Sequence, residues 1–390
     1  MNNLAYHKAI ALLHQVATPN GFLASGENTT NYNRVWARDG VICGLASLSS
    51  GDKKLIETFK NTLETLAENQ HANGTIPSNV FVGKKTEVSY GGLAGRVDAI
   101  TWFVIGVCQF AFVTKDESFI AKYKCHIEKC LSLLEAWEFN NKHFLYVPLS
   151  GNWADEYITD GYVLYDQLLR VWALKSYNHF VQEETISEKI QQIITQIEIN
   201  FTPNVAGVKY HEKAFHEIKI QDFMPCCFSP SGYKTQFDAF ANSLALFMNI
   251  GKNDFQNKIV KYCNSLTSEM TLGLLPAFWP PIFEHDEHWS LLKNNCKYDF
   301  RNFPYEFHNG GSWTMVNGFY GIALLTKGEK EKSLQVLEKI NNANAINDFS
   351  FYENFNTLTE APNGVAFCAW SAAATVLLHQ FLHFNFKLLQ

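Results

Sequence analysis

The chain has 390 residues, 47% hydrophobic and 18% charged, with a formal net charge of −6 and no dense block of Lys or Arg. This is the composition of a soluble globular protein long enough to bury a large core, and it lends nucleic-acid binding no support. No segment approaches the ~18 uninterrupted apolar residues of a membrane span, and residues 1–20 lack the basic start and apolar run of a signal peptide.

Helical apolar spacing (i, i+3, i+4) first appears over residues 4–16. Next comes Asn31-Tyr32-Asn33-Arg34-Val35-Trp36-Ala37-Arg38-Asp39-Gly40, leading into predicted helices 38–50 and 53–69. Arg38 offers a planar set of donors and Asp39 accepts from hydroxyls, so the pair can clamp adjacent sugar hydroxyls with Trp36 beside them. A helix N-cap with a local salt bridge is the plainer alternative. Between the two helices, Asp52 follows Gly51 as a cap.

Helices are predicted at 98–113 and 117–138. Gly95-Arg96-Val97-Asp98 opens the first, with Trp102 one turn on. Asp98 either caps the helix or binds a hydroxyl. The connection 140–160 holds Gly151-Asn152-Trp153-Ala154-Asp155-Glu156-Tyr157. Helices 160–181 and 185–200 follow, the first carrying Tyr165.

After the connection 201–235 come helices 235–250 and 253–269, with Asp254 as a second cap. The connection 270–310 ends in the most distinctive stretch, Phe303-Pro304-Tyr305-Glu306-Phe307-His308-Asn309-Gly310-Gly311-Ser312-Trp313. Gly310 and Gly311 would let backbone approach a ligand, while His308, Asn309 and Trp313 supply hydrogen bonds and a stacking face. The alternative is a glycine turn packed on its own aromatics. Helices 311–326 and 330–342 follow. The connection 343–365 contains Phe351-Tyr352-Glu353-Asn354-Phe355-Asn356, and a last helix, 366–384, carries Trp370.

Helical hairpins therefore recur without a tight sequence repeat. The long connections, including 70–97, hold nearly all the unusual motifs, and loops of that length are usually functional. No linker rich in Pro, Gly or Ser divides the chain. A single domain over 1–390 is expected, a barrel of paired helices with its chemistry on one rim. A helical solenoid or bundle has shorter, more uniform connections.

Asp155 and Glu353 stand nearly two hundred residues apart in aromatic-framed motifs. Cleaving a glycosidic bond without a metal takes one carboxylic acid to protonate the leaving oxygen and a second carboxylate to act on water or carbon. Aromatic neighbours stack on sugars and desolvate carboxyls, which raises their pKa. On that ground Asp155, beside Trp153 and Tyr157, is expected to have a raised pKa, while Glu353 is expected to stay largely ionised. Glu156 and Glu360 compete with them by proximity. The thirteen His show no His-Glu-x-x-His pattern, so no metal and no cofactor is expected. The nine cysteines, odd in number and without paired-ligand spacing, are read as free thiols of a cytoplasmic protein.

These motifs carry a resemblance. Asn31-Tyr32, Val35, Arg38-Asp39, Ile76-Pro77-Ser78, Gly95-Arg96-Val97-Asp98, Trp102, His308-Asn309-Gly310-Gly311-Ser312-Trp313 and Trp370-Ser371 come in the order seen in neutral/alkaline invertases. Asn242-Ser243-Leu244-Ala245 resembles that family's Gly-Asn stretch. Trp153-Ala154-Asp155 resembles the acid loop of the amylo-α-1,6-glucosidase part of glycogen debranching enzymes and of the invertases. Tyr352-Glu353 resembles a C-terminal segment of both. The resemblance spans roughly residues 28–375. It implies an all-α (α/α)6 barrel and an inverting glycosidase with Asp155 as general acid and Glu353 as general base. Arg38, Asp39 and Asp98 would hold hydroxyls, and Trp36, Trp102, Trp153, Trp313 and Trp370 would supply stacking walls. One departure stands out: where the invertases have a glutamate that should face the cleft, this chain has Tyr165.

The partner is then a carbohydrate, with sucrose favoured over the α-1,6-linked glucose of a glycogen branch stub. An epimerase or isomerase on the same barrel would need paired His bases, and only His308 is placed for that. A carbohydrate-binding protein without catalysis is the remaining alternative. Sequence leaves the oligomeric state open.

Overall fold

In the computed structural model, which describes residues 3–29, 31–219 and 222–390, the described residues contain fifteen helices. They are α1 (Asn3–Val16), α2 (Ala37–Ser50), α3 (Lys53–Glu68), α4 (Val97–Thr114), α5 (Glu117–Ala136), α6 (Leu164–Val181) and α7 (Glu184–Phe201). Then come the short α8 (Glu212–Glu217), α9 (Ala239–Phe247), α10 (Asn253–Glu269), the short α11 (Trp289–Asn295), α12 (Thr314–Thr326), α13 (Lys330–Asn344), the distorted turn α14 (Ile346–Phe349) and α15 (Ala369–Phe384). Met1 and Asn2 of the N-terminal reading, Thr30, and residues 220–221 of the 201–235 connection lie outside the described residues.

Side-chain pattern decides the layering. α4 is buried at every residue from Val97 to Ala111, α12 from Thr314 to Leu324, and α9 throughout. Helices apolar on all sides must be enclosed by other helices. α4 alone among the described residues is long and apolar enough to cross a membrane, and 83% of its length is buried inside the fold. α5 instead buries only Phe119, Ile120, Tyr123, Ile127, Cys130 and Leu134, one stripe at three- and four-residue spacing. Such a stripe covers a neighbour on one side and leaves the other to water.

The packing order follows. α2 packs on α4, α4 on α6, α6 on α9, α9 on α12, α12 on α15, and α15 again on α2. α3, α5, α7 and α13 pack against α2, α4, α6 and α12 respectively, and α1 lies against α15, so the first helix of the chain backs the last. Buried apolar residues from Ala9 to Leu388 form one continuous core.

Helix boundaries follow the periodicity with corrections: residues 311–313 and 366–368, expected as helix, precede α12 and α15, and residues 248–250 follow α9. Residues 162–163 and 235–238 are strand, not helix. Tyr162–Val163 pairs with Pro225–Ser229, which forms a hairpin with Gly232–Asp238, and Phe278–Trp279 completes a four-stranded antiparallel sheet. Cross-strand pairing therefore sets where α6 and α9 begin, and Asp238 caps α9 by accepting from the Ala241 N–H at 3.0 Å. Asp52 caps α3 as expected, accepting from Lys54 and Leu55 N–H groups. Asp254 is not a cap: it lies in the first turn of α10, after Lys252.

Candidate active site

A cleft of about 450 Å³ is lined by residues that precede or open α2, α4, α6, α12 and α15, five of the six helices that pack on one another in turn. Asn31, Tyr32, Arg34 and Trp36 precede α2, and Arg38 and Asp39 lie in its first turn. Ser89, Gly92 and Arg96 precede α4. Trp153, Asp155 and Glu156 precede α6. Arg301, Phe307, His308 and Trp313 precede α12. Glu353 comes from the connection between α14 and α15, and Trp370 opens α15. The connections N-terminal to these helices therefore meet at one cleft.

The two carboxylates sit in unlike settings. Asp155 has a side chain 31% exposed, and its Oδ2 accepts from Arg96 Nη2 at 2.8 Å. Arg96 is itself tied to the loop by donating to the Ala94 and Ser150 carbonyls. The apolar setting expected for Asp155 is absent. Its neighbours Trp153 and Tyr157 turn inward, and both stack on Phe278. Glu353 is only 7% exposed. Its Oε1 accepts from the Tyr32 hydroxyl at 3.0 Å, and the Val365 N–H points at Oε2 from 3.4 Å. Burial pushes its carboxyl up to about 7, against the pull of Arg301, Tyr32 and Val365. Where a largely ionised base is expected, burial thus shifts Glu353 toward its neutral form. Gly364 lies against it with φ +73°, and a Cβ there would fall 2.2 Å from Glu353 Oε2.

The floor is polar and under-paired. Arg38 donates Nη1 to Asp98 Oδ2 at 2.7 Å, and its guanidinium lies 5.4 Å from the Trp370 ring. Burial pushes Asp39 up to about 6, against the neighbouring Arg38. His308 stacks on Trp313 at 5.0 Å and meets the edge of Trp153 at 5.1 Å. Burial, then Arg301 and Arg38, hold its pKa down to about 3, so it is neutral at physiological pH. Both His308 ring nitrogens, the Trp153 and Trp370 indole N–H groups, and Arg38 Nε are buried without a hydrogen-bond partner among the described residues. Buried polar atoms are normally paired. Donors and acceptors clustered on the wall of a cleft suit a ligand rich in hydroxyls.

The model of the family described as alkaline and neutral invertase matches residues 5–211. The chain belongs to that family. It is therefore a glycoside hydrolase, and the matched half contains Asp155 while Glu353 lies beyond it. No curated protein sequence matches the chain. Among solved structures, its fold is similar to that of the GH63 mannosylglycerate hydrolase from Thermus thermophilus in complex with Tris. The two are 12% identical with a TM-score of 0.69, over 96% of this chain and 99% of that one. It is also similar to a wild-type glycosidase, 12% identical with a TM-score of 0.65, over 98% of this chain and 96% of that one.

Several residues anticipated for this family's site stand behind the wall. Trp102 is fully buried against Trp172, Phe240 and Phe319. Its indole N–H donates at 2.9 Å to Tyr165, whose hydroxyl donates at 3.3 Å to Asp98. Tyr165 and Asp98 are also buried, so Asp98 holds Arg38 rather than a sugar hydroxyl, and the Tyr165 position is withdrawn from the cleft. Asn309 bonds Ile282 and Asn302. Gly310 and Gly311 fold against Pro281, Tyr305 and Phe307 of their own loop, where a Cβ on Gly311 would meet the Phe307 carbonyl at 2.6 Å. These three shape the turn that presents His308 and do not line the cleft. Glu360 does not line it either. Glu156 does, but as the ion-pair partner of Arg301.

Sequence reasoning passed over Tyr32, Arg34, Arg96 and Arg301. The first three sit inside quoted motifs, but nothing in their spacing marks them. Arg301 belongs to a loop whose course depends on the whole fold.

Proposed function

We propose that this chain is an inverting, metal-independent glycosidase that cleaves a glucosidic bond, with sucrose the favoured substrate. Its frame is taken as one closed (α/α)6 barrel over residues 1–390. The return of α15 onto α2 and the continuous core support that frame. The observation that carries the functional reading is that Asp155 and Glu353, from loops far apart in sequence, line one cleft with Arg38, Asp39, Trp36, Trp153, His308, Trp313 and Trp370.

The chemistry runs as follows. Arg38, Asp39 and neutral His308 grip hydroxyls of the inner sugar, and the tryptophans flank its faces. Arg96 occupies one oxygen of Asp155, Oδ2, and the other carries the proton given to the leaving oxygen. Ionised Glu353, oriented by Tyr32, takes a proton from water on the opposite face of the sugar. An inverting site leaves room for that water, so the carboxyls are expected about 6.5–9.5 Å apart. Two of the similar structures, the Thermus hydrolase and a glycosidase variant, were each obtained in complex with glucose, which supports a glucosyl unit in the inner site. A second reading is an α-1,6-glucosidase: where the invertases carry a glutamate this chain has Tyr165, buried behind the wall, so no such side chain enters the cleft from that position.

Hydrolysis of sucrose, trehalose, maltose, isomaltose and limit dextrin, with the first product followed by NMR before mutarotation, tests the reading. Inverted configuration is expected. Retained configuration, or a glycosyl ester trapped on Glu353, overturns the mechanism, and cleavage of isomaltose without sucrose selects the second reading.

A further inference from the structure

The loop that carries Asp155 is tied down at several points. Arg96 donates to the Ser150 carbonyl and to Asp155 Oδ2, and the Val97 N–H, at the head of α4, donates to the Gly151 carbonyl at 2.7 Å. A relay of side chains supplies a further tie. Asn152 Oδ1 accepts from the Ala154 N–H at 3.0 Å, which closes a turn immediately before Asp155. That bond fixes which way round the Asn152 amide sits, so Nδ2 is left to donate to Asp166 Oδ2, at 2.9 Å. Asp166 lies in the first turn of α6, and Asn152, Ala154 and Asp166 are all buried.

Burial, with Asp98 near, pushes the Asp166 carboxyl well above the usual carboxylate range. Its second oxygen, Oδ1, is buried with no hydrogen-bond partner among the described residues. A buried carboxyl with one oxygen unpaired costs stability, and replacing such a polar pair by apolar groups of the same shape is often neutral or stabilising. Stability alone therefore does not account for the pair. Resting on the glycosidase reading above, we infer that Asn152 and Asp166 are positioning residues for the general acid: Asp166, carried by the buried helix, orients the Asn152 amide, and Asn152 sets the backbone from which Asp155 reaches the leaving oxygen. Neither residue lines the cleft.

The test uses the full-length protein and two substrates. One is the disaccharide that the wild type cleaves. The other is α-glucosyl fluoride, whose fluoride leaves without needing a proton from the acid. Asp166→Leu removes the acceptor for Asn152. Misplacing the acid by about 1 Å costs up to about 10²-fold, so kcat on the disaccharide should fall about 10–100-fold with KM little changed, while kcat on the fluoride stays near wild type. Asp166→Asn keeps an acceptor for Asn152 Nδ2 and should hold the disaccharide rate near wild type. Asn152→Ala cuts the same link from the loop side without touching α6. It should repeat the Asp166→Leu pattern, and it decides the matter if Asp166→Leu does not fold. Unchanged disaccharide rates, equal losses on both substrates, or a loss in Asp166→Asn as large as in Asp166→Leu overturn the assignment and leave the glycosidase reading standing. If the wild type cleaves neither kind of substrate, the glycosidase reading fails separately, and hydrogen exchange decides the link. Faster exchange of the Ala154 N–H in Asp166→Leu but not in Asp166→Asn upholds it, and equal exchange overturns it.

Discussion

Asp155 and Glu353 face one cleft, yet their surroundings differ in kind. Asp155 stands on an open wall, partly exposed and gripped by Arg96. Glu353 stands in a sealed wall, under Tyr32 and against Gly364, with Arg301 near enough to pull on its charge. Aromatic residues adjacent in sequence do not report which carboxyl is desolvated. Trp153 and Tyr157 turn their rings toward Phe278 and the core, while the group two residues away turns out. Desolvation depends on what the rest of the fold lays over a side chain, and here it falls on Glu353.

The sharpest way to break this comparison is to remove each carboxylate. Asp155→Asn and Glu353→Gln are each expected to cut turnover by about 10²–10⁴-fold while sparing sugar binding, measured as kcat and as ligand affinity by calorimetry. Near-wild-type turnover in Asp155→Asn would move the acid to Glu156.

Crowding Glu353 comes next. Gly364→Ala places a methyl within van der Waals overlap of Oε2, at a backbone φ of +73° that glycine alone adopts freely. Displacement of a catalytic group by about 1 Å costs up to about 10²-fold. A fall in kcat of about 10–100-fold is expected. An unchanged kcat would show that Glu353 need not be held there.

A subtler change concerns pH. If Glu353 is the base, it must be ionised, so kcat/KM should rise with pH through a limb near 7. The Tyr32 hydroxyl lowers that carboxyl's pKa by donating to it. Tyr32→Phe should therefore move the limb to higher pH, read from the pH profile of kcat/KM. A limb that stays in place would assign it to another group.

The smallest effect is on stability. Glu353, lifted from 4.5 to about 7 in the fold, favours the folded state when protonated. That contribution is full below about pH 4.5 and is lost as pH rises through 7. Glu353→Gln should thus be more stable than wild type at pH 8, by at most about 3 kcal/mol, with little difference at pH 5. Asp238, lifted to about 7, and Asp39, lifted to about 6, act with the same sign, so a residual slope should persist. Urea unfolding at pH 5 and pH 8 measures both.

What could be read from the amino-acid sequence alone was local. The helix pairs, the Asp52 cap and the placing of motifs in the connections follow from spacing and capping, which act over a few residues. The stripe on α5 is legible because one face meets water. α4, α6 and α12 are buried nearly all the way round, so their sequences have no amphipathic phase to tell a cleft-facing side chain from a core one. For that reason Trp102 and Tyr165, at the head of two such helices, could not be assigned to core or cleft before folding. The sheet that starts α6 and α9 escaped as well, because pairing partners at 162–163, 225–238 and 278–279 lie far apart in sequence. Tertiary structure likewise brought Arg96 to Asp155 and Tyr32 to Glu353. Charge–charge contact and desolvation are set by distance in space, and only the packing of the helices and their connections determines that distance.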